Sequence, residues 1–185
     1  MQRELEPELM DTADEAAAYD AMNHTAPNTA FVERLLELLS ISEYLKKFRK
    51  GQRAGEAAER TIRVLDLGTG NGLIPLMLLD RRADLDITGV DLAKHMLAVA
   101  ELHKAASPHG DRVRFEIADV KALPYDDGAF DVVMSNTILH HIPEPEAFLA
   151  EAWRVLRLGG ILLIRDLFRP ADDEAVEQLV QSHAG

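Results

Sequence analysis

The stretch Val64-Leu65-Asp66-Leu67-Gly68-Thr69-Gly70-Asn71-Gly72 decides the fold. An aliphatic and β-branched run from Thr61 to Leu67 ends at three glycines on alternate positions. Directly after them, Leu73 to Asp80 is apolar enough for a buried helix. Strand, glycine turn and helix in that order make the first crossover of a doubly wound sheet. In such a sheet, ligands sit beyond the carboxyl ends of the strands. Glycine permits a positive φ there and lets the backbone approach a ligand closely. The spacing is G-x-G-x-G, with an acid two residues before the first glycine. Dinucleotide sites use G-x-G-x-x-G and set a pyrophosphate on the helix N-terminus. A carboxylate at Asp66, near the loop, discourages a phosphate and suits a cationic ligand. A nicotinamide-dependent dehydrogenase is therefore a remote alternative.

The same alternation continues outward. Asp86 to Asp91, Arg112 to Ile117, Phe130 to Ser135 and Gly160 to Phe168 read as strands. Ala93 to Ala106, Pro145 to Leu158 and Ala171 to His183 read as helices between and after them. The fold class is α/β, a doubly wound, mainly parallel sheet flanked by helices. Before Thr61 the pattern is helical. One short helix, capped by Asp11 or Thr12, runs through Tyr19-Asp20 and is interrupted at Pro27 and Asn28. A second starts at Thr29, carries Phe31, Val32, Leu35, Leu36, Leu38 and Leu39 at helical spacing, and reaches Lys50, with Gly51 as its stop. Residues 1–60 thus form a helical N-terminal region, and residues 61–185 the core.

Composition narrows the function. The 185 residues include 20 Lys+Arg and 32 Asp+Glu, a formal net charge of −12. That acidity repels phosphate backbones, so no nucleic-acid partner is expected. The chain has no cysteine, which excludes a disulfide framework, a thiolate metal site and a cysteine nucleophile. No His–carboxylate spacing suits a metal, and none is expected. No basic, then apolar, leader opens the chain, and no apolar run approaches the roughly 18 residues of a membrane span. A cytoplasmic protein without a membrane partner is the expectation.

Asp91 ends the second strand about twenty residues past the last glycine, where an acid can accept from two ribose hydroxyls. Its plainer reading is a cap for the helix starting near Ala93. Five blocks now stand in order: Asp66-Leu-Gly-Thr-Gly-Asn-Gly72, Gly89-Val-Asp91, Ala118-Asp119, Phe130-Asp-Val-Val-Met-Ser-Asn136 and Arg154-Val-Leu-Arg-Leu-Gly-Gly160. Over residues 61–168 the chain resembles the class I, Rossmann-like S-adenosylmethionine-dependent methyltransferases. The stretch Asn136-Thr-Ile-Leu-His-His-Ile-Pro143 is similar to their small-molecule and quinone-type branch.

The resemblance implies a sheet of order 3-2-1-4-5 and a helical N-terminal lid. It implies transfer of a methyl group from S-adenosylmethionine, leaving S-adenosylhomocysteine, to an O, N or C nucleophile of a small molecule. The alternative is a cofactor-binding regulatory or partner-dependent subunit that does not itself catalyse. Asp66, Gly68, Thr69 and Gly70 would hold the amino-acid end of the cofactor, with Asp66 facing its ammonium. Asp91 would bind the ribose. Leu92 and Met96 would pack on the adenine, or simply in the core. Asp119, with Val120 beside it, would accept from the adenine amine, or serve only as a turn residue. Asn136 would reach the methionine moiety. In the lid, Tyr19, Met22, His24 and Asn28 gather contact groups, Tyr19 foremost. A water-excluding lid would strengthen the electrostatics at the sulfonium.

Of seven histidines, His140 and His141 invite a catalytic reading, as a base for the attacking hydroxyl or amine. A turn contact before Ile142-Pro143 is the plainer role, and methyl transfer can proceed by alignment alone. The basic run Lys46-Lys47-Phe48-Arg49-Lys50 reads as a solvated helix end. The family usually continues with an antiparallel hairpin after the fifth strand, and nothing after Arg169 is expected to supply it. The fifth strand would then be an exposed apolar edge, open to pairing with a partner or in a homodimer.

Overall fold

Strands β1 (Ile62–Leu67), β2 (Leu85–Asp91), β3 (Val113–Ile117), β4 (Phe130–Asn136) and β5 (Leu156–Arg165) form one sheet in the order β3-β2-β1-β4-β5. Every pairing in it is parallel. The computed structural model describes residues 11–50 and 61–167, together with residues 172, 174, 175 and 177. Most of the expected helix over 171–183, the stop at Gly51 and the strand end at Phe168 lie outside the described residues.

Parallel strands covered on both faces read as unbroken apolar runs. Side chains alternate across β1, so Val64 faces one core and Leu65 and Leu67 the other. The first core joins Val64, Ile87 and Met134 to Phe31 and Leu35 of α2 (Thr25–Lys50) and to Leu78 and Leu79 of α3 (Leu73–Arg81). The second joins Leu65, Val90 and Val133 to Phe148, Ala152 and Val155 of α5 (Pro145–Val155). Each fully buried Leu or Phe here contributes about 1.5–3 kcal/mol. Helix α4 (Lys94–Ala106) follows β2, and α1 (Ala13–Asp20) packs on it through Ala16, Ala93 and Met96.

Two boundaries differ from the sequence reading. Pro27 and Asn28 do not interrupt a helix; they lie in the first turn of α2. Proline costs nothing there, because first-turn N–H groups have no intrahelical partner. The break falls instead at 21–24, where Asn23 Oδ1 accepts from the Thr25 amide at 3.0 Å. Thr12, not Asp11, caps α1, in a reciprocal box with Glu15.

At the other boundary, α5 stops at Val155 and β5 begins at Leu156, short of the expected Leu158 and ahead of the expected Gly160. Leu156 already pairs with Phe130, and the next pair is Val132 with Ile161. Between those pairs β4 advances two residues and β5 five, so the extra residues bulge outward. Leu158 is left fully exposed. The return to the ladder passes through Gly160, where a Cβ would lie 2.7 Å from the Asp131 carbonyl oxygen.

Candidate functional site

The strands point their carboxyl ends at one cavity. Asp66 is the penultimate residue of β1, Asp91 the last of β2 and Asn136 the last of β4, and all three line it. The glycine loop forms its floor. The Gly68 and Thr69 amides both donate to the Val90 carbonyl, at 2.9 and 3.0 Å, which straps the loop to β2. Gly68 has φ +72°, and a Cβ on it would fall 2.5 Å from Ile138 Cγ2. No other residue type fits that conformation and that gap.

Asp91 takes the capping role open to it in the sequence and braces the glycine loop as well. Its Oδ1 accepts from the Ala93 amide at 2.9 Å, at the entrance to α4, and its Oδ2 accepts from the Gly70 amide at 2.9 Å. A carboxylate has about four lone-pair sites, so the group keeps acceptor capacity for a ligand beyond its backbone amides. Burial raises the Asp91 carboxyl, against the backbone amides of Ala93 and Gly70 that lower it. Asp66 is only 2% exposed. Burial pushes its carboxyl up to about 7, and the Asp91 charge adds to the rise. A buried and a half-buried carboxylate in one cavity make a site that a cation relieves. Burial and Asp91 also raise the Tyr19 hydroxyl.

The opposite wall is apolar, with Leu92, Met96, Val120 and Ile142. Met96 also belongs to the cluster with Ala16 and Ala93, so core packing and cavity lining coincide in one side chain. The N-terminal helices close a third side. Tyr19 and the buried Asn28 line the cavity. Met22 points outward and is 60% exposed. His24 stacks on Tyr19 with ring centroids 4.3 Å apart and donates from Nε2 to the Tyr19 carbonyl at 2.8 Å. Helix α1 is fastened at both ends. Asp11 meets His95 Nδ1 at 3.1 Å. Asp20 Oδ1 accepts from Asn71 Nδ2 at 2.8 Å, and His103 Nδ1 donates to the Asn71 carbonyl at 2.9 Å.

At the ends of β4 and β5 the wall is made by side-chain contacts. Thr137 takes φ +61°. His140 Nδ1 lies 2.7 Å from Asp166 Oδ1, and the His140 amide donates to Asp166 Oδ2 at 3.1 Å. With Nδ1–H donating to the carboxylate, Nε2 is the proton-accepting nitrogen. His141 lies with its ring centroid 4.0 Å from that of His140, the planes tilted by 40°, and lines the cavity.

The cavity therefore gathers Tyr19, Asp66, Gly68, Thr69, Gly70, Asp91, Leu92, Met96, Val120, Asn136 and His141. Asp119 and His140 are not among its lining residues. Asp119 Oδ1 accepts from the Lys121 amide at 2.9 Å and pairs with Lys121 Nζ at 3.1 Å, which is the turn role open to it in the sequence. Sequence reasoning missed Asn71, Ile138, Ile142 and Asp166. The first three stand inside motifs already recognised. Asp166 had only one signal, an acid directly past an apolar strand. Among the described residues, no group of three or more His, Cys, Asp or Glu could hold a metal ion. No described helix is long and apolar enough to cross a membrane.

Comparison with known proteins follows this geometry. Residues 65–164 match the methyltransferase domain family. The chain is 41% identical over 108 residues to a demethylmenaquinone methyltransferase of Thermus thermophilus, covering 58% of this chain and 48% of that protein. It is 31% identical over 172 residues to a demethylmenaquinone methyltransferase of Deinococcus radiodurans, covering 92% and 69%. The chain spans about half the length of several curated relatives it matches. Among solved structures, the [4+2]-cyclase SpnF superposes with TM-score 0.54 at 33% identity, over 56% of this chain and 38% of that one.

Proposed function

The chain belongs to the methyltransferase domain family, and from that premise we propose that it moves a methyl group from S-adenosylmethionine to an O, N or C nucleophile of a small molecule. The observation that carries this reading is the pair of carboxylates, buried Asp66 and half-buried Asp91, beside a glycine loop at the strand ends. Their chemistry fits a ligand with a sulfonium, an ammonium and a ribose diol, and it opposes a phosphate.

Asp66 faces the ammonium, and the loop Gly68-Thr69-Gly70 cradles the amino-acid end. Asp91 offers its remaining acceptor capacity to the two ribose hydroxyls. Leu92, Met96 and Val120 flank the adenine, and Asp119, between two lining residues, accepts its amine. Bound there, S-adenosylmethionine supplies a methyl group already activated on sulfur. What remains for the chain is alignment, exclusion of water and removal of a proton. The N-terminal region, residues 1–60, serves as the lid that excludes water, with Tyr19 and Asn28 as its contact points. His141, which lines the cavity, takes the proton, and His140, oriented by Asp166, packs beside it. The net charge of −12 supports a small-molecule acceptor over a nucleic acid. The outer position of β5 among the described strands supports pairing with a second copy of the chain, which light scattering tests.

Calorimetric titration with S-adenosylmethionine and S-adenosylhomocysteine is the deciding experiment. Micromolar binding is expected. Absence of binding by a folded chain overturns the proposal. Binding without turnover over a broad panel of phenols, enols and amines would favour a cofactor-holding subunit that does not itself methylate.

A further inference from the structure

Arg165, the last residue of β5, sits opposite Asn136 in the sheet register and joins that lining residue to two residues of α2 that lie outside the cavity. Its Nε donates to Asn136 Oδ1 at 2.9 Å. Its Nη2 donates to the Pro27 carbonyl at 2.7 Å, across 138 residues of sequence. Its guanidinium carbon stands 5.2 Å from the centroid of the buried Phe31 ring. Its own carbonyl accepts from the Thr137 amide at 2.8 Å, beside the positive-φ turn that leads to His140.

A guanidinium has donors only. The Asn136 amide must therefore turn its oxygen to Arg165, which sends its NH₂ group the other way. Asn136 lines the cavity, and so does Asn28, the neighbour of Pro27. One planar, forked side chain thus sets the amide of β4 and the first turn of α2 together. A lysine offers neither the fork nor the flat face that lies on Phe31.

We propose that Arg165 is a positioning residue of this site: it holds Asn136 as a hydrogen-bond donor toward the carboxylate of the ligand's amino-acid end, beside the ammonium held by Asp66. The inference rests on the function proposed above. It assigns the two charged groups of a zwitterion to two neighbouring strands, the acid on β1 for the cation and the clamped amide on β4 for the anion.

The test separates this role from general stability by comparing two ligands. S-adenosylhomocysteine carries the amino-acid end; 5′-methylthioadenosine lacks it. Arg165→Met is expected to weaken S-adenosylhomocysteine by at least about fivefold, the scale of one charge-assisted hydrogen bond, with 5′-methylthioadenosine unchanged within about twofold. Asn136→Ala should give the same loss, and the double variant no further loss. Equal weakening of both ligands, or additive losses, overturns the proposal. If Arg165→Met does not fold, Arg165→Lys takes its place with the same expected pattern.

If the wild-type chain binds neither ligand, the reading of the site as a cofactor pocket fails by itself. The clamp is then read in the ligand-free protein. The side-chain amide resonance of Asn136, assigned by its loss in Asn136→Ala, must shift in Arg165→Lys. An unmoved resonance overturns the clamp.

Discussion

The two halves of the cavity are built differently. At the ends of β1 and β2 the backbone does the work: Gly68 and Thr69 are strapped to Val90, and Asp91 is gripped by the amides of Gly70 and Ala93. At the ends of β4 and β5 side chains do it: Arg165 holds Asn136, and Asp166 holds His140. Backbone amides cannot be exchanged by substitution, whereas any of those four side chains can. The first half therefore suits a ligand common to many proteins. The second, apart from the Asn136 amide assigned above to the cofactor, suits an acceptor that differs between them, and its chemistry is open to change without loss of the fold.

The sharpest way to break this contrast lies in the second half. His141→Ala should lower turnover by about 10²–10⁴-fold, the usual worth of a positioned base, and change S-adenosylhomocysteine affinity far less. Steady-state rates and calorimetry on the same preparation check both. A matching fall in affinity would mean that this histidine holds the cofactor rather than serves as a base.

Asp91→Ala attacks the first half. It removes two ribose acceptors and the group that holds Gly70. The expected loss of S-adenosylhomocysteine affinity is at least about tenfold, from hydrogen bonds worth roughly 1.5–3 kcal/mol. Calorimetry on a variant shown to be folded gives the answer, and undiminished binding removes the ribose assignment.

The smallest effect is a pH dependence confined to the first half. Asp66 titrates near 7 in the ligand-free chain, and an ammonium ligand needs it ionised. Affinity should fall about tenfold from pH 8 to pH 6, and Asp66→Asn should abolish that slope. Stability of the ligand-free chain runs the other way. The folded pKa lies above the unfolded value of 3.8, so this group's contribution is complete below 3.8 and is lost as pH rises to about 7. Asp66→Asn should accordingly raise the melting temperature at pH 8 more than at pH 4, by thermal denaturation.

The same contrast explains what could be read before any coordinates. The sheet, its crossovers and the glycine loop follow from local periodicity, and Asp66 and Asp91 stand beside recognisable strand ends. Reading fails where one part of the chain answers to a distant part. Pro27 looks like a helix breaker until its place in a first turn is known. The bulge at 156–160 depends on how β5 registers against β4, which no local pattern carries. Asp166 and His140 are 26 residues apart, on opposite sides of α5, and only the strand order brings them together.

Helix α1 has one more consequence. It buries a single side chain fully, Ala16, and one methyl-sized group contributes only about 0.8 kcal/mol. What keeps it in place is polar: Asp11 with His95, and Asp20 with Asn71 and His103. Because Asn71 belongs to the glycine loop, which is itself strapped to β2, α1 is tied to the floor of the cavity by polar contacts and is expected to open locally at a free energy below that of global unfolding. The amides of α1 should exchange with solvent deuterium faster than those of the sheet and slow when the pocket fills. The eight residues of α1 thus report the occupancy of a cavity to which that helix lends one tyrosine.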